Sequence, residues 1–216
     1  MSKLNGPHQN QPVAVSGADL NEAKRAMIMI HGRGASAQSI LGLSKEFEKT
    51  SDFIFLAPQA SGHTWYPYSF LAPTENNQPG IDSGLQAISN ILQKLNEQGI
   101  ANEHIFLLGF SQGACLASEF VARNPSKYAG LIALSGGLIG EFVTLSEYTG
   151  DLKSTPIFMG CSDVDAHIPV DRLDETEKVF LKLNAVVQKN IYQGMGHLVN
   201  EDEISNINRL IETSLS

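Results

Sequence analysis

Cysteine is nearly missing from this sequence: there are two, Cys115 and Cys161, set in apolar helix and strand patterns with no metal-type spacing. No disulfide framework or zinc ligand set follows, and both are expected to be buried free thiols of the kind a reducing compartment maintains. Positive charge is also short, with 15 Lys and Arg against 23 Asp and Glu and a formal net charge of -8. Binding to a phosphate backbone or to an anionic membrane surface needs clustered cations, so nucleic acid is not an expected partner. Long apolar runs are absent too. The longest, such as AMIMI, have strand length, far from the ~20 residues that cross a bilayer, so no transmembrane segment is expected. The opening MSKLNGPHQNQP has neither the apolar core nor the small-residue cleavage site of a secretory signal. Residues 1–11 are expected to be a flexible lead-in, and the cytoplasm is the expected location.

What is present is the composition of a packed protein: 216 residues, 42% hydrophobic and 18% charged, enough for one domain spanning 1–216. Six short runs, RAMIMIHG, DFIFLAP, HIFLLGF, GLIALSG, TPIFMGC and KNIYQG, are mostly continuous in apolar residues rather than alternating. Strands buried on both faces read this way, which predicts a largely parallel sheet. Helical patterns lie between them. Ile81, Leu85, Ile88, Leu92 and Leu95 recur every three or four residues before Gly99. A second pattern covers Leu173 to Val187, and the last carries Ile204, Ile207, Leu210 and Ile211 on one stripe. Strand and helix in alternation predict an α/β fold with helices on both faces of the sheet. Two long connections, Pro58 to Gly80 and Gly140 to Pro156, follow predicted strands and are expected to wall a pocket at the carboxyl edge of the sheet.

The segment HIFLLGFSQGACLASEFVARNP carries a G-x-S-x-G pattern, Gly109 to Gly113, between an apolar strand and a helix stopped by Pro125. The pattern alone is weak, and serine is also a preferred N-cap. A nucleophilic Ser111 requires a base and an orienting carboxylate further along the chain. Both occur, each just after a later strand: Asp163 and Asp165 in CSDVDAHIP, and His197 in GMGHLV. Ile168 and Pro169 would anchor the far side of the loop of Asp165, which favours it as the acid and leaves Asp163 to brace the turn. His167 is expected at the pocket rim or packed in its loop, while His8, His63 and His104 have no matching context. Oxyanion donors are expected from the N–H of Gln112 and, in MIMIHGRGAS, from the N–H of Arg33 between Gly32 and Gly34. The Arg33 side chain is expected to be solvated or ion-paired rather than to meet an acidic substrate group. Trp65, Tyr68 and Phe70 on the first long connection are candidates for an apolar pocket wall, with core packing the alternative.

With HGRG, GFSQGA, DAHIP and GMGH in this order, the chain from Ala26 to Ser216 resembles the phospholipase/carboxylesterase family of α/β hydrolases, which includes the acyl-protein thioesterases. The resemblance implies an α/β-hydrolase fold without a large cap domain and a triad of Ser111, Asp165 and His197. Gln112 and Arg33 match the family's oxyanion positions, and the D-x-x-[VI]-P form of the acid loop selects Asp165 over Asp163. Arg33 and Ala35 depart from the HGLGD pattern typical of acyl-protein thioesterases, and the surroundings of Trp65 differ as well. A bacterial carboxylesterase branch is the better match. The expected activity is cofactor-free and metal-independent hydrolysis of small to medium carboxylic esters, with a small-molecule ester as substrate and a homodimer as one assembly known among relatives. The rivals are an acyl thioesterase or lysophospholipase, a lactone or dienelactone hydrolase, and a non-catalytic α/β-hydrolase domain used for binding.

Overall fold

A computed structural model describes residues 6–215. Seven strands form one sheet in the order β1-β3-β2-β4-β5-β6-β7. They are β1 (Val13–Gly17), β2 (Arg25–Ile30), β3 (Phe53–Pro58), β4 (Ile105–Phe110), β5 (Gly130–Leu134), β6 (Pro156–Ser162) and β7 (Val186–Tyr192). Every pairing is parallel except β1 with β3. The helices are α1 (Ala37–Leu41), α2 (Gly80–Glu97), α3 (Gln112–Arg123), α4 (Val170–Lys182) and α5 (Glu201–Ser214). The sheet divides the core into two clusters. Ala26, Ile28 and Ile30 of β2 join the residues of α2, α3 and α4 on one face. Met27 and Met29 join those of α1 and α5 on the other. This alternation explains the continuous apolar strands, since residues of both parities are buried.

All six expected strands form, in an α/β-hydrolase arrangement with helices on both faces. Three features differ from expectation. The edge strand β1 was not foreseen: its residues alternate between exposed and half-buried with none fully buried, so its sequence lacks the buried-strand pattern. The helix expected over Leu173 to Val187 stops at Lys182, because Asn184 takes a positive φ of 59° and Val186 and Val187 pair with β6. The lead-in is not loose from Gly6 onward, whereas residues 1–5 lie outside the described residues. His8 is 4% exposed, its Nε2–H donating to the Trp65 carbonyl (2.9 Å) and its Nδ1 accepting from the Ser61 N–H (3.1 Å).

β2 and β4 are neighbours, yet the chain leaving β2 turns to β3 on one side and the chain leaving β4 turns to β5 on the other. Such a reversal opens a crevice at the carboxyl ends of the two strands. The loops that carry Arg33 and Ser111 lie there.

Candidate active site

Ser111 occupies the turn between β4 and α3 with φ 56° and ψ -122°, a backbone state that costs a non-glycine residue ~1–3 kcal/mol. The turn closes only because its neighbours lack side chains. A Cβ on Gly113 would run into the carbonyl oxygen of Ile30, and one on Gly109 into the backbone of Gly113. Although Ser111 stands at the N-cap of α3, its side chain makes no capping hydrogen bond. The Oγ instead donates to His197 Nε2 at 2.8 Å. His197 Nδ1–H donates to Asp165 Oδ2 at 2.7 Å, and because a carboxylate can only accept, this bond fixes the imidazole tautomer.

The carboxylate of Asp165 is fully buried. Burial pushes its pKa up, but the hydrogen bond from His197 and the N–H groups of His167 and Ile168 outweigh this and hold it below the ordinary range. Asp163 faces elsewhere: its Oδ1 accepts from the Gly194 N–H (2.7 Å). Together with Ser162 Oγ, which accepts from the Gly196 N–H (3.1 Å), it ties the loop before His197 to the end of β6. His167 lines the cleft with its ring 5.1 Å from that of His197, edge to face.

The loop after β2 lies against this turn, since a Cβ on Gly32 would sit 3.3 Å from the Ser111 Cβ. The Gly32 carbonyl accepts from His31 Nδ1–H (2.7 Å) and from the Ala35 N–H (3.2 Å). In a trans peptide this turns the Arg33 N–H the opposite way. The N–H groups of Arg33 and Gln112 have no partner among the described residues.

The side chains of these two residues grip one strap, Thr64–Tyr68. Arg33 donates to the carbonyls of Tyr66 (2.9 Å), Pro67 (2.9 Å) and Tyr68 (2.7 Å). Gln112 Oε1 accepts from the Trp65 N–H (2.8 Å), and its Nε2 donates to the Tyr66 carbonyl (2.9 Å). Arg33 is exposed, in keeping with the expected solvated residue, but its guanidinium pairs with no carboxylate among the described residues and serves in addition as a backbone clamp, for which a planar five-donor group is well shaped. Sequence spacing carried no sign of this, because which carbonyls the strap turns inward is a property of the fold.

An open cleft of about 420 Å³ lies over Ser111, lined by Tyr66, Tyr68, Phe70 and His167 among others. Trp65 is not a wall residue. It is fully buried, with Nε1–H donating to the His31 carbonyl (2.9 Å) and its ring beside those of His8 and His31. Tyr68 is 60% exposed at the mouth and Phe70 only 6% exposed. The second long connection lines no part of this cleft. It packs behind α3, where the buried Glu119 accepts from the Ile139 N–H (2.9 Å) and the Tyr148 hydroxyl (3.3 Å). Among the described residues no cluster of three or more His, Cys, Asp and Glu is arranged to hold a metal ion, and no helix is long and apolar enough to cross a membrane.

The sequence model of the family described as Phospholipase/Carboxylesterase matches residues 10–215. The chain belongs to the phospholipase/carboxylesterase family. It is a hydrolase of that family, similar in sequence to acyl-protein thioesterase 1 of Kluyveromyces lactis, with 28% identity covering 89% of this chain and 93% of the relative. A phospholipase/carboxylesterase of Dyadobacter fermentans has a crystal structure that superposes with a TM-score of 0.90 at 40% identity, covering 96% of this chain and 97% of that one. The Arabidopsis thaliana protein SOBER1 shares the fold, with a TM-score of 0.73 at 20% identity over 90% of this chain and 100% of that one.

Proposed function

We propose that this family member is a serine carboxylic-ester hydrolase and that residues 6–215 act as a single domain. The observation that carries the proposal is the unbroken relay Asp165–His197–Ser111, with links of 2.7 and 2.8 Å beneath an open cleft. Ser111 Oγ attacks the ester carbonyl as His197 Nε2 takes its proton, and Asp165 steadies the imidazolium that forms. The carbonyl oxygen becomes an oxyanion against the N–H groups of Gln112 and Arg33. His197 then returns the proton to the leaving alcohol, and water repeats the sequence on the acyl-enzyme. A cleft of this volume, open to solvent, suits small to medium acyl groups.

Thioester hydrolysis by the same residues is the second reading, favoured by the names of the acyl-protein thioesterase relatives. A fluorophosphonate probe is expected to label the wild type at Ser111 and leave Ser111→Ala unlabelled. Folded wild-type protein that takes no label would overturn the proposal. Relative kcat/KM on p-nitrophenyl esters and acyl thioesters of matched chain length separates the two readings.

A further inference from the structure

His8 is buried and lines no part of the cleft, yet its ring is tied to the chain that builds it. The lead-in is fastened to α2, where the His8 N–H donates to Ser83 Oγ (2.9 Å) and Gln9 Nε2 to the Ser83 carbonyl (2.9 Å). From there the imidazole closes a bracket on the chain after β3. With Nε2–H donating to the Trp65 carbonyl and Nδ1 accepting from the Ser61 N–H, one ring holds both ends of Ser61–Trp65. A carbonyl only accepts and an N–H only donates, so this pair of bonds requires the neutral ring with its proton on Nε2.

The bracketed segment holds both residues assigned to the oxyanion. The His63 carbonyl accepts from the Gly34 N–H (2.8 Å), and His63 Nδ1–H donates to the Ala35 carbonyl (2.7 Å), which fixes the chain just after Arg33. Trp65 fixes the chain just before it, through the bond from its indole N–H to the His31 carbonyl. The backbone N–H of Trp65 goes to Gln112 Oε1. Donors aimed at developing charge must be placed to within a fraction of an ångström, so a segment that touches both carries catalytic weight.

We propose that His8 is a positioning residue: as a neutral imidazole it braces Ser61–Trp65 and so holds the N–H groups of Arg33 and Gln112 where the oxyanion forms. This rests on the esterase reading above. Protonation at Nδ1 sets an N–H against the Ser61 N–H and releases one end of the bracket. Burial pushes the pKa of His8 below 6.5, against the pull of the Trp65 and Gly80 carbonyls, so the brace holds at neutral pH and loosens in acid. Two other titratable groups stand near. His31, whose ring also lies against Trp65 (5.2 Å), and His63 in the bracketed segment both disfavour added positive charge here. Ser61, Trp65 and Ser83 carry none, and no carboxylate pairs with the His8 ring among the described residues.

The test is kcat and KM on a p-nitrophenyl ester for the wild type, His8→Leu and His8→Gln. At about pH 8, His8→Leu should lose about tenfold in kcat with KM changed less than about twofold, while His8→Gln, whose amide can still donate to the Trp65 carbonyl, should recover most of the loss. Below 6.5 the wild-type kcat should fall relative to that of His8→Gln by up to about tenfold, because the protonated brace resembles the leucine variant. His197 and His31 titrate in both proteins and cancel in that ratio. Trp65 is the single tryptophan, with its ring 5.0 Å from that of His8, so its fluorescence should drop over the same pH range in the wild type and lack that step in His8→Gln. A folded His8→Leu that keeps its kcat, or a ratio of wild type to His8→Gln that stays flat with pH, would overturn the proposal; the second measurement decides where His8→Leu does not fold. Fluorophosphonate labelling runs alongside: labelled Ser111 with kcat indifferent to His8 removes the brace and leaves the esterase, whereas wild type that neither labels nor hydrolyses removes both.

Discussion

Glu203 offers a stability test that does not touch the chemistry. It is the third residue of α5, where its Oε2 accepts from the Asn200 N–H (3.0 Å) and its own N–H donates to Asn200 Oδ1 (2.8 Å) in a reciprocal cap. Its carboxyl fills the space that a side chain at Gly160 of β6 would need, and Oε1 is buried with no partner among the described residues. Burial pushes its pKa up to about 7 against an ordinary 4.5. The favourable helix N-terminus, worth ~0.3–1 kcal/mol, is outweighed by the loss of water. A raised acid contributes its stability fully below the unfolded value and loses it as pH rises through the folded one. At about 1.4 kcal/mol per pH unit, moving from pH 5 to pH 8 costs the wild type ~2.5 kcal/mol through this group.

Glu203→Gln keeps the acceptor for Asn200 and removes the titration, so the stability advantage of the variant over the wild type should grow by ~2.5 kcal/mol between pH 5 and pH 8. In a protein of this size that is roughly 5–10 °C in Tm. The measurement is chemical or thermal unfolding of both at the two pH values, taken as a difference. The difference matters because His8 and His31, held below 6.5 by burial, act in the opposite direction: they withhold protons that the unfolded chain accepts, so stability falls as pH drops below 6.5. Subtraction cancels them. An advantage that grows by less than ~0.5 kcal/mol between the two pH values would refute the reasoning.

Two more substitutions probe the site. Asp165→Asn should leave the fold intact and lower kcat by about 10⁴-fold through the wrong imidazole tautomer, whereas Asp163→Ala should cost ~1 kcal/mol of stability and less than about tenfold in rate; the reverse ranking in steady-state assays would make Asp163 the acid. Arg33→Lys should lower kcat by about tenfold with charge unchanged, because an ammonium cannot bridge the three carbonyls that the guanidinium holds; an unaltered kcat would show that the strap holds its place without the clamp.

Legibility in the sequence followed what each residue depends on. The five inner strands could be read because burial on both faces writes itself as an apolar run, while the edge strands β1 and β7, each paired on one side only and without a fully buried residue, write less: KNIYQG marked only the end of β7, and nothing marked β1. The end of α4 was misplaced because apolar spacing continues through Leu183 and Val187; the break comes from the backbone at Asn184. Ser111, Asp165 and His197 were legible because each follows a strand end, and strand order alone brings those ends to one edge of the sheet. Trp65, Tyr66, His8 and the Arg33 side chain were not, since their roles depend on which carbonyls the strap turns inward.

That difference bears on how the site works. The two residues proposed to supply oxyanion N–H groups also grip, through their side chains, the strap that bears Tyr66 and the mouth residue Tyr68. A shift of the strap therefore pulls on Arg33 and Gln112, and the pocket wall and the oxyanion site move as one body. Changes in the strap should consequently alter kcat as well as KM, even where the substituted side chain touches neither Ser111 nor its relay.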